Sequence, residues 1–105
     1  MAAVEIGMLA DVPPGTARAF AVQGTAIAVF NIDGDLYALD DTCSHAEASL
    51  SEGEIDPDEL CVECPLHGSQ FDLQSGLPRT LPAFEPVQVY KVWHEGDKLF
   101  LEFPA

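Results

Sequence analysis

Basic residues are scarce in this chain. It contains 4 lysine and arginine residues against 18 acidic ones, and its formal net charge at pH 7 is −14. Such a surface repels phosphate backbones and anionic lipid headgroups, so we expect neither nucleic acid nor a membrane as a partner. Two interpretations of the charge stay open: it keeps the protein soluble, or it meets a basic patch on a protein partner and speeds their encounter.

Cysteine is also scarce, and long apolar runs are absent from the sequence. The three cysteines all lie between Cys43 and Cys64. An odd number clustered with histidines indicates a reducing compartment and metal binding rather than a disulfide framework. Residues 1–15 lack the basic and apolar segments of a signal peptide, and no apolar run is long enough to span a bilayer. We therefore predict a soluble, cytoplasmic protein.

No segment has a sustained helical periodicity, and prolines interrupt the chain often. Short β-like runs dominate instead, at 17–22, 25–32 and 87–103. Asp33-Gly34 predicts a hairpin turn after the second run, and residues 95–97 predict one within the third. Apolar residues occupy both parities of 25–32, which indicates a strand covered on two faces.

These patterns predict an all-β fold with one domain, since 105 residues are too few for two independent cores. We expect the β-rich ends, 1–40 and 86–105, to pair as a small antiparallel β barrel or sandwich. The middle, at about 41–85, is richer in turns and holds every cysteine and two of the three histidines. We predict that this middle part is the functional insert.

Two mixed pairs in the insert, "CSH" at 43–45 and "CPLH" at 64–67, together offer two sulfur and two nitrogen ligands. A tetrahedral zinc ion accepts that set, and so does a [2Fe–2S] cluster with both cysteines on one iron and both histidines on the other. Cys61 and Cys64 form a competing C-x-x-C pair. On a strand from 60 to 63, however, the side chain of Cys61 is about 10 Å from that of Cys64 and points to the opposite face, so the two should not converge on one metal. We therefore expect Cys61 to be an inert hydrophobic residue.

The segments "CSHAEASLSEG" (43–53) and "ECPLHGSQFDLQSG" (63–76) resemble the Rieske iron–sulfur signature, and more closely the small Rieske ferredoxins of bacterial aromatic-ring-hydroxylating dioxygenase systems. The resemblance implies one Rieske-type [2Fe–2S] cluster, with Cys43 and Cys64 on the inner iron and His45 and His67 on the outer one. It also implies that 1–105 is a single Rieske domain, with 41–85 as the cluster-binding subdomain and the two ends as the basal β subdomain.

Further roles follow from the resemblance. Ser69 is similar to the serine whose hydroxyl bonds a bridging sulfide, and Gly68 allows a tight turn close to the cluster. Pro82 and Ala83 match a proline loop that covers the cluster. The interval between His45 and Cys64 is longer than the family commonly has, so we expect 54–60 to be a surface-loop insertion.

The chain also departs from the high-potential Rieske proteins of respiratory complexes. Ala48 and Leu66 stand where those proteins have an additional disulfide, and Phe71 replaces a tyrosine that bonds a ligand sulfur. Fewer hydrogen-bond donors leave the reduced cluster less stabilised, so we predict a low reduction potential.

The resemblance implies a monomeric one-electron carrier that is not itself an enzyme. Its partners would be a flavin-containing ferredoxin reductase and a terminal Rieske non-haem iron oxygenase that dihydroxylates aromatic compounds. Two alternatives stay open: a small subunit of a nitrite-reductase-like enzyme, and a structural zinc-binding module. We assign no function to His94, which we expect at the surface beside a turn.

Overall fold

A computed structural model describes residues 2–43, 48–66, 68–80 and 85–103. The described residues form nine strands: β1 Ala2–Met8, β2 Thr16–Val22, β3 Thr25–Ile32, β4 Asp35–Asp40, β5 Glu54–Asp56, β6 Cys61–Glu63, β7 Gln70–Asp72, β8 Val89–Glu95 and β9 Lys98–Phe103. All named strand pairs are antiparallel. The prediction of an all-β fold is confirmed.

Six strands from the two ends of the chain form the larger sheet, in the order β1-β9-β8-β4-β3-β2. It curls into a half-barrel, which agrees with the predicted small barrel or sandwich. The sequence-based runs correspond to β2, β3, β8 and β9, but β1 was not predicted. Its register with β9 shifts between Glu5 and Gly7, although Val4 and Ile6 alternate with exposed neighbours and pack against a core of the larger sheet.

Strand β3 connects two hydrophobic cores, because it is covered on both faces as its sequence predicts. Its residues from Ile27 to Ile32 are all buried. Ala28 and Phe30 face one core, which also contains Cys43 and Cys64. Ile27 and Val29 face a second core with Leu99 and Leu101 of β9. The strand therefore packs on one side in the core that contains Cys43 and Cys64 and on the other in the core of the larger sheet.

The predicted hairpin turn at Asp33-Gly34 is confirmed. Asp33 has φ 53° and Gly34 has φ 96°, which are the left-handed values that a two-residue type I′ turn requires. Ile32 and Asp35 pair directly across this turn. In the second predicted hairpin, Glu95 pairs with Lys98, so the turn residues are Gly96 and Asp97.

The smaller sheet contains three strands in the order β5-β6-β7. The expected surface loop at 54–60 is therefore only partly a loop, since Glu54–Asp56 pairs with β6 and the turn occupies 57–60. Leu60 has φ 51° and lies in this turn rather than on the strand. A β-carbon at Gly53 would overlap the backbone carbonyl oxygen of Glu63, so glycine permits the close approach of the two segments.

Helical structure in the described residues is limited to two 3₁₀ turns, Leu9–Asp11 and Leu50–Glu52. Accordingly, none of the helices described is long and apolar enough to cross a membrane.

The connection between β4 and β8 is narrow and is reinforced by side chains. Only Ala38 with Tyr90 and Leu39 with Val89 pair in this ladder. The Tyr90 hydroxyl donates a 2.6 Å hydrogen bond to Asp40 Oδ1, and its ring stacks on Phe103 at 5.8 Å between centroids. Burial, followed by the bond to Asp40, raises the pKa of Tyr90.

We predict that Tyr90→Phe lowers the free energy of unfolding at neutral pH by about 1.5 kcal/mol, because the ring stacking is kept while a hydrogen bond to a carboxylate is lost. The raised pKa makes that stabilisation complete below about pH 10, the value in the unfolded chain, and it is lost as pH rises further. The difference between variant and wild type in urea titrations should therefore narrow above pH 10. Tyr37→Phe is the control, and an equal loss there would contradict the role of the bond.

Candidate metal centre

The two predicted cysteine ligands lie in two loops, and each loop is closed by a backbone hydrogen bond from its cysteine. Thr42 and Ser49 form a β-bridge, and inside it the Cys43 N–H donates to the Ala48 carbonyl at 2.9 Å. Glu63 and Gln70 pair likewise, and the Cys64 N–H donates to the Ser69 carbonyl at 2.7 Å. Each cysteine is thus the first residue of a loop closed to the residue five positions later.

The two cysteine side chains are buried in one core. Cys43 is 4% exposed and Cys64 is 1% exposed. Leu50, Val62 and Phe71 belong to the same cluster. All three cysteines lie in the described part of the chain and none of them is in a disulfide, so neither predicted ligand is consumed by a sulfur–sulfur bond in this apolar environment.

The tip of the second loop is shaped by Gly68. Its φ of 77° lies in the left-handed region, and its N–H donates to the Cys64 carbonyl at 3.0 Å. This confirms the tight turn expected there. Ser69 is fully buried, whereas Leu66 at the loop tip is 57% exposed. The loop therefore presents an apolar tip to solvent and keeps its serine inside.

The predicted histidine ligands, His45 and His67, lie outside the described residues, as do Pro82 and Ala83 of the predicted proline loop. Within the described ranges alone, no three histidine, cysteine or acidic side chains come together as a metal site. The third histidine, His94, is exposed as expected, and its Nδ1 lies 3.2 Å from the Gly96 carbonyl oxygen.

The chain leading into 81–84 is fixed to β7. The Arg79 N–H donates to the Gln70 carbonyl at 2.6 Å, and the Gln70 N–H donates to Thr80 Oγ1 at 2.8 Å. The Arg79 guanidinium pairs with Asp72 at 2.6 Å. Burial opposes ionisation of Asp72, but the bonds from Arg79, Ser75 and Gln74 outweigh it and lower its pKa. No sequence motif indicates this ion pair, because Arg79 lies in a loop without a recognisable pattern.

Cys61 lies apart from the other two cysteines. It is buried on β6, 2% exposed, but it does not belong to the core cluster that contains Cys43 and Cys64. It pairs across the small sheet with Asp56 and Asp72. Burial is the main cause that raises the pKa of its thiol, against the opposing charge of Arg79. Its position outside the core shared by Cys43 and Cys64 agrees with the inert role predicted for it.

Comparison with known proteins decides the family. The family model for the Rieske [2Fe-2S] domain matches residues 2–91. The chain belongs to the Rieske [2Fe–2S] family. The 3-phenylpropionate/cinnamic acid dioxygenase ferredoxin subunit of Escherichia coli (strain K12) is 44% identical over 96 residues, which cover 91% of this chain and 89% of that relative.

Solved structures agree with the assignment. The ferredoxin of carbazole 1,9a-dioxygenase from Nocardioides aromaticivorans IC177 superposes with a TM-score of 0.89 at 36% identity, covering 96% of this chain and 97% of that one. A ferredoxin in a complex of reduced oxygenase and oxidized ferredoxin of carbazole 1,9a-dioxygenase superposes with a TM-score of 0.82 at 36% identity, covering 93% and 91%. This Rieske chain is therefore a ferredoxin-type electron-transfer protein with a Rieske-type [2Fe–2S] cluster as its cofactor.

We predict that Cys61→Ser keeps the full visible absorption and iron content, because this thiol lies outside the shared core. Cys43→Ser and Cys64→Ser should each lose the cluster, since a serine hydroxyl does not replace a thiolate on iron. Visible absorption and iron analysis of the three purified variants measure this. Bleaching by Cys61→Ser together with an intact spectrum for Cys43→Ser would overturn the ligand assignment.

Proposed function

We propose that Cys43, His45, Cys64 and His67 hold one [2Fe–2S] cluster, with the cysteines on the inner iron and the histidines on the outer iron. The observation that carries this proposal is the burial of both cysteines in one core, each at the start of a loop that a backbone hydrogen bond closes to the residue five positions later. The two histidines would supply the nitrogen ligands, since His45 follows Cys43 by two positions and His67 follows Cys64 by three. When bound, the cluster supplies one-electron transfer.

The residues around the thiols have two tasks in this proposal. Leu50, Val62 and Phe71 are buried beside them and exclude water, which limits how far the surroundings reorganise when the charge changes. The loop closures at Ala48 and Ser69 fix the cysteine backbones. In the proposed division of the domain, 41–85 forms the cluster-binding part, and 1–40 with 86–105 forms the basal part that supports it.

The chain would accept electrons from a flavin-containing reductase and deliver them to a terminal oxygenase that dihydroxylates aromatic compounds. The relatives that are named ferredoxin subunits of dioxygenases support this, as does the neighbour seen in a complex with its oxygenase. The alternative of a nitrite-reductase-like subunit has less support from these relatives. A structural zinc module has less support as well, since Cys61 lies outside the shared core. We expect the carrier to work as a cytoplasmic monomer.

The charge is distributed unevenly between the two parts. Residues 41–85 contain ten acidic residues and one basic residue, Arg79, whereas the rest of the chain contains eight acidic and three basic residues. The part proposed to hold the cluster, 41–85, therefore carries more net negative charge than the rest of the chain. This asymmetry favours the interpretation that the charge orients the protein toward a basic partner surface.

We predict that a purified flavin-containing reductase of an aromatic dioxygenase system reduces this protein, and that the stopped-flow rate falls as salt is added, because salt screens long-range attraction. Neutralising the exposed turn residues Asp58 and Glu59 to Asn and Gln should weaken the salt dependence. Changing Asp33 and Asp35 to Asn removes the same number of charges from the basal part. This variant is the control, and its salt dependence should stay close to that of the wild type.

Failure of the reductase to reduce the protein at any salt concentration would contradict the carrier role with this class of partner. Rates that are flat or rise with salt would leave solubility as the only role of the charge.

A further inference from the structure

Asp41 is a buried carboxylate beside the first cysteine loop. It is 4% exposed, and within the described ranges it is the only acidic or basic side chain buried to this degree. It follows the end of β4 directly and precedes Cys43 by two residues. At the spacing of consecutive Cα atoms, the Cα atoms of Asp41 and Cys43 are at most about 7 Å apart.

Three hydrogen bonds place Asp41 at the junction of the basal sheet and the loop. Its N–H donates to the Ala26 carbonyl at 2.9 Å, and its carbonyl accepts the Leu50 N–H at 2.7 Å. Its side-chain Oδ1 accepts the Ser51 N–H at 2.9 Å. The first bond joins the chain that precedes the 43–48 loop to β3. The other two join it to Leu50 and Ser51, which follow the loop.

The hydrogen bonding of Asp41 does not require a negative charge. An asparagine has the same length and would offer the same oxygen to Ser51. Burying a carboxylate costs more free energy than burying an amide, unless a positive charge compensates it. The two ion pairs in the described part of the chain are Arg79 with Asp72 and Lys98 with Glu5, and neither compensates Asp41.

We propose that Asp41 is a positioning residue that also lowers the reduction potential of the cluster through its buried charge. This rests on the proposed function, in which Cys43 is a ligand. Reduction would add one negative charge to the cluster that Cys43 helps to hold, and a fixed carboxylate beside that cluster opposes the addition. Because the carboxylate is buried, solvent and salt screen its effect far less than they screen the effect of a surface charge.

The test is the midpoint potential of Asp41→Asn in protein-film voltammetry. We expect iron and sulfide content and the visible spectrum to match the wild type, since the bond to Ser51 is retained. The potential should shift upward, and the shift should persist at high salt.

Asp33→Asn is the matched control. It removes one charge from an exposed turn residue whose φ of 53° suits asparagine, and its potential should equal that of the wild type. Asp41→Ala, which lacks the acceptor oxygen, should lose cluster content.

Three results would overturn the proposal. One is an intact Asp41→Asn cluster with an unchanged potential, and another is an equal rise in Asp33→Asn, which would reflect net charge alone. The third is loss of the cluster in Asp41→Asn, which would make the carboxylate a purely structural requirement. A wild-type protein that binds no iron and sulfide would instead refute the proposed function, so the two failures are distinguishable.

Discussion

The burial of two cysteines that form no disulfide, Cys43 and Cys64, in one apolar core is the constraint on which the rest of the structure depends. The two cysteines are 21 positions apart, so the chain must return to the same place after the first loop. The small three-stranded sheet makes this return, and Leu50, Val62 and Phe71 fill the space around the thiols. Strand β3 contributes to both cores: Ala28 and Phe30 pack in the core with the cysteines, while Ile27 and Val29 pack in the basal core.

The sequence predicted those parts of the fold that local chemistry determines. The turn at Asp33-Gly34 needs left-handed backbone, which these residue types tolerate best, and the cysteine and histidine spacings are specific to one kind of ligand set. Strand β1 was not predicted, because its formation depends on pairing with β9 at the other end of the chain. The sequence predicts a loop where strand β5 forms for the same reason, since its three residues are specified by their partner in β6.

The surroundings of the two cysteine loops could not be predicted from the sequence. Asp41 and Arg79 are ordinary loop residues in the sequence, and only the fold reveals that one is buried at a junction and the other pairs with Asp72. The alternation of a strand does predict that Cys61 lies apart from Cys64, and the structure places Cys61 outside the core that contains Cys43 and Cys64. The reason was sound although the strand begins one residue later than expected, because Leu60 adopts a left-handed turn conformation.

Two cysteines and two histidines of this chain are proposed to share one [2Fe–2S] cluster. Electron paramagnetic resonance of the reduced protein, with iron and acid-labile sulfide analysis of the same sample, is the decisive measurement. We expect two irons and two sulfides per chain and a low average g, from a ferrous iron with imidazole ligands. Stoichiometric zinc without labile sulfide, or the spectrum of an all-cysteine cluster, would contradict it.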